Sequence, residues 1–339
     1  MAISHSRVAT VVAALALVAI AVPRGARAQA WVPSKGEGSV SVAYQNLNVK
    51  KHLATTTPVA AGDIDSSALL ADVSYGLTDK IAIDVALPFV MSKYSGVSGH
   101  PGTNIDNGKY HSSFSDVRFA VRYNLARGNV VFTPYAGSVV PSHAYAFYGH
   151  AAPGQRLNEI QVGAYAAKLF EKGIPGMFVS ARYAYGFVEK VLDISHNRSY
   201  ADLEVGYFFS PRFRAFAMTN GQYSYGGIDF PTSGGMRALP IEQQPVHDQI
   251  QRVHYLDVGG GAAYSITDNF DIFGSFSRLV AGRNGHALNR GITIGGSWSF
   301  ALKKKVDPTA SKRPSAESDG VTASRENSLI RCICQKSGL

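Results

Sequence analysis

The chain has 339 residues, 45% of them hydrophobic and 11% aromatic, with a formal net charge of +9. That charge sits at the ends: residues 1–28 hold three Arg and no acid, residues 301–339 hold eight bases and four acids, and the 22 bases and 20 acids between nearly cancel, which argues against a nucleic-acid-binding face. No apolar run reaches the roughly 20 residues that a helix needs to cross a bilayer, so helical membrane spans are excluded.

Residues 1–28 read as a signal peptide. Arg7 supplies the positive start, residues 8–22 form an apolar core, and Ala26-Arg27-Ala28 is a small-x-small cleavage site. Cleavage after Ala28 starts the mature chain at Gln29; cleavage after Ala30 starts it at Trp31.

From residue 39 to residue 300 the sequence falls into short stretches in which apolar and polar residues alternate. Such a period of two marks strands, because successive side chains point to opposite faces. The expected strands lie at 39–49, 67–77, 81–89, 116–125, 130–140, 158–169, 177–188, 200–209, 212–223, 252–265, 270–280 and 292–300. At 116–125 the alternation is cleanest: Val117, Phe119, Val121, Tyr123 and Leu125 face one way, and Asp116, Arg118, Ala120, Arg122 and Asn124 the other. Register is open at 39–49 and 130–140. Gly259-Gly260-Gly261 lies inside a strand and follows no strand-to-helix junction, so it reads as curvature or packing, not as a phosphate loop.

The connections alternate in length. Tight turns rich in Asp, Asn, Gly and Pro stand at 78–80, 126–129, 171–176, 210–212 and 267–269. Longer polar loops are expected at 50–66, 92–112, 141–157, 189–198, 224–250 and 281–290. Alternation of this kind predicts an all-β, antiparallel meander of about twelve strands closed into a transmembrane barrel, with short turns on the periplasmic side and long loops outside. Tyr75, Tyr123, Tyr207 and Tyr264 each stand three to four residues before a short turn on the apolar parity, the placement of an aromatic girdle at headgroup depth.

Twelve strands fall between barrels filled by side chains and barrels with an open aqueous channel. The residues expected to line the lumen are Asp72, Asp84, Asp116, Arg118, Arg122, Arg182, Asp202, Glu204, Arg214 and Asp257. Their mixed signs argue against strong ion selectivity and are equally compatible with a salt-bridged plug. Arg283 and Asn284 sit at a loop tip, either as a constriction folded inward or as ordinary turn chemistry. The 224–250 loop, rich in Gly and Pro, is the candidate lid or gate.

The final strand, residues 293–300, sets Gly295, Trp298 and Phe300 in a polar-x-Gly-x-x-aromatic-x-aromatic pattern. It is similar to the terminal signature that barrel-assembly machinery reads in outer-membrane proteins. There the aromatic normally ends the chain, whereas here residues 301–339 follow as a basic stretch that reads as disordered. A periplasmic extension and a misread gene end both fit. Its Cys332 and Cys334 are too few for a metal site and read as incidental.

With the strands placed, the chain resembles the outer-membrane family named for the MetA pathway of phenol degradation. Tyr75-Gly76-Leu77-Thr78-Asp79-Lys80 running into 81–88, the Pro134-Tyr135-Ala136-Gly137 stretch, Arg278 with Gly282-Arg283-Asn284, and the 295–300 strand carry the resemblance, which spans roughly 38 to 300. It implies a channel- or transporter-like barrel that moves small, hydrophobic or aromatic compounds across the outer membrane.

Two Ser–His neighbourhoods, His111-Ser112-Ser113 and His196 to Ser199, raise the alternative of a lipid-hydrolysing barrel. A nucleophile needs a base within reach and a third group that orients it. Neither stretch carries a lipase signature, and ten histidines spread mostly over loops make such neighbours by chance. No metal or nucleotide motif stands out, so neither catalysis, a metal nor another cofactor is expected. The reading is a monomer in a Gram-negative-type outer membrane. Its partners are membrane lipid and lipopolysaccharide, the assembly machinery and a small-molecule solute; the alternative is a structural or surface-interaction barrel with a closed lumen.

Overall fold

In the computed structural model, which describes residues 30–59, 62–96 and 99–302, the chain forms one closed antiparallel barrel of twelve strands. They are β1 (Glu37–Ala54), β2 (Asp63–Gly76), β3 (Ile81–Ser95), β4 (His111–Phe114 and Asp116–Tyr123, broken at Ser115), β5 (Val131–Pro141) and β6 (Glu159–Leu169). The second half comprises β7 (Met177–Val188), β8 (Arg198–Ser210), β9 (Phe213–Ser224), β10 (His254–Thr267), β11 (Phe270–Arg283) and β12 (Gly285–Ala301). Every strand pairs with its sequence neighbour, and β12 closes on β1 with Val40 opposite Trp298 and Tyr44 opposite Ile294. Closure removes both sheet edges, so no row of backbone donors faces lipid unpaired. The expected signal peptide at 1–28, and all but the first two residues of the 301–339 stretch with Cys332 and Cys334, lie outside the described residues.

Period two settles the two open registers. On β1, Val40, Val42 and Tyr44 are exposed outward while Ser39, Ser41 and Gln45 are buried inward. On β5, Phe132 is outward while Thr133 and Tyr135 are buried inward. Around the circumference Leu69, Val85, Phe119, Val121, Ile160, Leu203, Val258 and Phe276 stay exposed on the outer face. An apolar belt of that extent marks a surface that meets lipid rather than water.

Two expected loops need correction. The 281–290 loop is not a loop: β11 and β12 are joined at Asn284 alone, where Asn284 (φ 56) and Gly285 (φ 69) take the left-handed backbone of a tight hairpin. The 50–66 connection is likewise mostly strand, with β1 running to Ala54 and β2 starting at Asp63. Both extensions rise beyond the apolar belt. There a strand has no lipid-facing side, so its residues need not alternate and the pattern that betrays a strand disappears. The three glycines of β10 are packing positions as expected: a Cβ on Gly259 would collide with the Phe276 carbonyl, and one on Gly261 with the Gly274 carbonyl.

Candidate functional site

All ten charged residues expected on the lumen parity lie on the inner face, and several pair there. Arg122 is 2% exposed and binds Asp84 through Nε at 2.5 Å and Nη2 at 2.9 Å, Ser74 at 2.9 Å and the Trp31 carbonyl at 3.2 Å. Arg182 binds Asp202 at 2.5 Å and lies over the ring of Tyr200. Asp116 accepts a bond from Tyr145, and Arg214 lies over Phe208. Glu159 and Arg198, an inward pair 3.2 Å apart, were not anticipated.

Apolar residues also turn inward, which the alternation alone does not foretell. Leu70, Val90, Phe178, Phe216, Met218 and Phe273 form a buried cluster, weighted toward the end of the barrel that carries the short turns. Opposite it, Ala30, Trp31, Tyr135, Tyr165 and Tyr200 pack together. The segment ahead of β1 therefore enters the lumen at the turn end: Ala30 and Val32 are fully buried, and Thr133 donates to the Ala30 carbonyl. Its exit is fixed by Gly36 donating to the Gly76 carbonyl at 2.9 Å and by the Lys35 N–H donating to Asp79 at 3.0 Å. Alongside the expected charged residues, such as the Arg122–Asp84 pair, this half also holds an apolar core and an N-terminal plug.

The other half is a vestibule. Three adjoining cavities all touch His150. One lies under the loops against Phe230, Pro231 and Met236, one passes Leu53, Val253 and Leu279, and the deepest reaches Leu47, Ile64, Leu288 and Asp257. Over them lies the segment joining β9 to β10. It carries two short 3₁₀ turns, Gly235–Ala238 and Gln244–Val246, and one helical turn, His247–Ile250, whose Ile250 is fully buried. This is the segment expected as a lid, and it is pinned down. Gln155 donates to the Asp248 carbonyl at 3.1 Å, and Gln249 donates to the Gln155 carbonyl at 2.8 Å.

Asn284 is the main pin. At 1% exposure, its Oδ1 accepts the N–H groups of Thr55 (2.9 Å) and Phe230 (3.1 Å), and its Nδ2 donates to Asp229 (3.0 Å) and to the Arg252 carbonyl (2.8 Å). Arg283 binds Asp229 through both Nε and Nη2, at 2.9 and 2.6 Å. Arg283 and Asn284 therefore fasten the lid to the β11–β12 hairpin. The bond from Arg283 above all, with help from Asn284 and the nearby Arg252, holds the Asp229 carboxyl down at about 2 against the effect of burial.

The most concentrated chemistry at the mouth is one that the sequence did not announce. His52 on β1, His286 on β12, His100 between β3 and β4, His150 between β5 and β6, and His247 in the lid converge with Asp106 and Asp248. Ring centroids are 4.4 Å apart for His52 and His286, 4.2 Å for His100 and His150, and 4.9 Å for His100 and His247. Asp106 organises two loops at once, accepting the N–H groups of His100, His150 and Ala151 at 3.0 to 3.1 Å and the His100 ring at 3.0 Å. Burial opposes its charge, yet those bonds outweigh burial and keep its carboxyl below the usual range. Burial first, then the facing imidazoles, push His52 down to about 2 and His150 to about 4. Burial lowers His286 as well, against the pull of Asp248.

Neither sequence-predicted Ser–His neighbourhood forms. His111 bonds Asn107, His196 bonds the Ile194 carbonyl, and Ser199 meets Tyr183 and Tyr225. His143 instead lies between Ser113 (3.1 Å) and Ser142 (2.9 Å), exposed, and among the described residues no carboxylate is hydrogen-bonded to it. Ser113 also donates to the Phe114 carbonyl, so its hydroxyl is not held for transfer to the imidazole. Tyr123, Tyr207 and Tyr264 are exposed on the outer face and Tyr75 is half-buried on the same parity. On β12, Gly295 and Trp298 pair with Phe273 and Phe270, and Phe300 lies opposite Gly38.

These features define a closed, lipid-belted barrel of the outer-membrane type with a lidded vestibule. Its fold is similar to that of the COG4313 outer membrane channel from Pseudomonas putida F1, with a TM-score of 0.62 at 15% identity over 80% of this chain and 98% of that one. It is also similar to the NanC porin, with a TM-score of 0.45 at 11% identity over 76% of this chain and 98% of that one. A third likeness is to the β domain of the Bordetella autotransporter BrkA, with a TM-score of 0.45 at 9% identity over 78% of this chain and 100% of that one. No family model and no curated protein sequence matches the chain.

Proposed function

We propose that the protein is a monomeric channel of a Gram-negative-type outer membrane that passes small, apolar or aromatic solutes passively, in keeping with the resemblance to the MetA-pathway family. The observation that carries this reading is the vestibule. Cavities run from beneath the lid to Asp257, and below the His–Asp cluster at the mouth Leu47, Ile64, Leu279 and Leu288 stand on their walls, offering an apolar solute aliphatic surface on which to leave water. The Trp31 plug, held by Arg122, is then the inner constriction. That a solved structure similar in fold is an outer membrane channel accords with the reading.

In this reading lipid and lipopolysaccharide cover the outer belt, Tyr75, Tyr123, Tyr207 and Tyr264 sit at headgroup depth, and Gly295, Trp298 and Phe300 are read by the assembly machinery. The test is uptake of an aromatic carboxylate into proteoliposomes carrying the folded full chain. Uptake faster than that of a sugar of similar size, and absent with heat-unfolded protein, is the expected result. Equal leakage in both preparations overturns the proposal.

One observation favours the second reading, a closed barrel acting through its outer loops: the lumen is packed at the turn end by Ala30, Trp31 and the Phe178–Phe216–Phe273 cluster. Under that reading uptake stays at background even when the plug is loosened by Trp31→Ala.

A further inference from the structure

Within the histidine cluster, His100, His247 and Asp248 have a hydrogen inventory that does not balance with protein atoms alone. Asp106 is a charged acceptor, so the His100 Nδ1 facing it at 3.0 Å carries that ring's hydrogen. The Gln244 carbonyl can only accept, so the His247 Nδ1 facing it at 2.7 Å carries the hydrogen there. In each neutral ring the remaining Nε2 is then a lone pair. Those two lone pairs face each other at 3.2 Å, with Asp248 oxygens 3.3 Å from His247 Nε2 and 3.8 Å from His100 Nε2. Three electron-rich groups converge with no donor among them. A single shared proton can satisfy one pair of the three; a cation satisfies all of them.

The spacing matches a metal ion. Two ligand atoms at 2.0–2.1 Å from a tetrahedral zinc stand about 3.3 Å apart, close to the 3.2 and 3.3 Å seen here. The outer partners are also of the right kind. Metal-bound imidazoles ordinarily donate their other N–H to a carboxylate or a backbone carbonyl, which fixes the tautomer and aims the lone pair. His100 does so to Asp106 and His247 to the Gln244 carbonyl. The cavity beneath the lid borders His100, His247 and Asp248, giving an ion a way in. The neighbouring group of His52, His150 and His286 offers three further nitrogens but no carboxylate.

We propose that His100 Nε2, His247 Nε2 and the Asp248 carboxylate form a binding site for a divalent transition-metal ion of the zinc class, which staples the β3–β4 loop to the lid. Two imidazoles and one carboxylate suit Zn²⁺ and its neighbours and do not suit Mg²⁺, which prefers an all-oxygen octahedron. The proposal does not depend on solute passage, because its readout is binding and not flux.

The experiment titrates the folded full chain in detergent micelles with ZnCl₂ by calorimetry, and with CoCl₂ by visible absorption. Folding of each preparation is confirmed by heat-modifiable migration. The expected result is one Zn²⁺ per chain, tetrahedral Co²⁺ bands, and no heat with MgCl₂. His100→Gln and His247→Gln should weaken Zn²⁺ by more than the roughly 10–100-fold that losing an outer partner costs, and Asp106→Asn should fall within that range. His286→Gln should leave binding unchanged. The proposal is overturned if wild type takes up no Zn²⁺, if both Gln variants bind as wild type does, or if only His286→Gln loses binding. Should a variant fail to fold, the Co²⁺ spectrum of the wild-type chain decides: octahedral bands or none refute the site.

Discussion

Asn284→Ala should release the lid while leaving the barrel wall intact. The side chain is buried and makes four hydrogen bonds of 2.8 to 3.1 Å, to Thr55, Phe230, Asp229 and Arg252, which join three outer elements at one point. Each bond contributes about 1 kcal/mol net, and buried partners left unmet cost at least as much. Alanine at the left-handed φ of 56 also strains the hairpin by about 1 kcal/mol, but the hairpin keeps that φ with the lid open or closed, so the strain does not count toward opening. Three of the four bonds reach the lid, at Phe230, Asp229 and Arg252, so the lid's own equilibrium shifts by about 3 kcal/mol. At 1.4 kcal/mol per decade that is roughly a hundredfold shift toward the open lid. Backbone hydrogen exchange, followed by mass spectrometry on the full chain in micelles, reads the change. Ile228 and Arg252, whose N–H groups bond the carbonyls of Ile250 and Ile228 at 2.9 and 2.8 Å, should exchange about a hundredfold faster, while β7 and β8 hold their protection. Protection of Ile228 and Arg252 within threefold of wild type would refute the view that Asn284 is the pin.

Acid should loosen the same lid. The Asp229 carboxyl is held at about 2 by Arg283, Asn284 and Arg252, below its ordinary value near 3.8, so its contribution is complete above pH 4 and is lost as pH falls from 4 to 2. His254 is the other titratable group that faces it. Lid exchange, corrected for intrinsic rate, should rise over that window in wild type and rise less in Asp229→Asn, where the charging of buried His150 beneath the lid remains. Arg122→Ala removes the cation that balances Asp84 and the donor to the Trp31 carbonyl; breaking a buried pair of this kind costs about 3–5 kcal/mol. The urea midpoint should drop, and the single-channel step should grow as the plug loosens. Gly259→Val drives a side chain into the Phe276 carbonyl across the β10–β11 ladder, so the heat-modifiable form should disappear on gels.

The wall of this protein was legible in the sequence because lipid on one side and a lumen on the other force alternation along every strand. The cleanest example, Val117 to Leu125 against Asp116 to Asn124, keeps its faces in the structure, with Phe119, Val121 and Leu125 exposed and Asp116 and Arg122 buried. Alternation reports only that a residue points inward. It says nothing of whether an inward residue meets water, a partner or a plug, so the packing of Phe178, Phe216 and Phe273 and the entry of Trp31 into the lumen went unseen.

Beyond the apolar belt the constraint lapses altogether, and the strand extensions that bring His52 opposite His286 read as loops. The histidine cluster was hidden for a related reason. Its members come from five separate outer elements, 48 residues apart between His52 and His100 and 97 apart between His150 and His247. Closing the barrel brings them together, and no local spacing encodes that. The one available signal was that histidines recur in one outer connection after another.

Conductance of the full chain in planar lipid bilayers tests most directly whether the lidded vestibule leads through the wall. Small, discrete and uniform current steps, enlarged by Arg122→Ala, are the predicted record. A bilayer that stays silent with protein shown to be folded by its heat-modifiable migration, and stays silent with Arg122→Ala, would contradict passage.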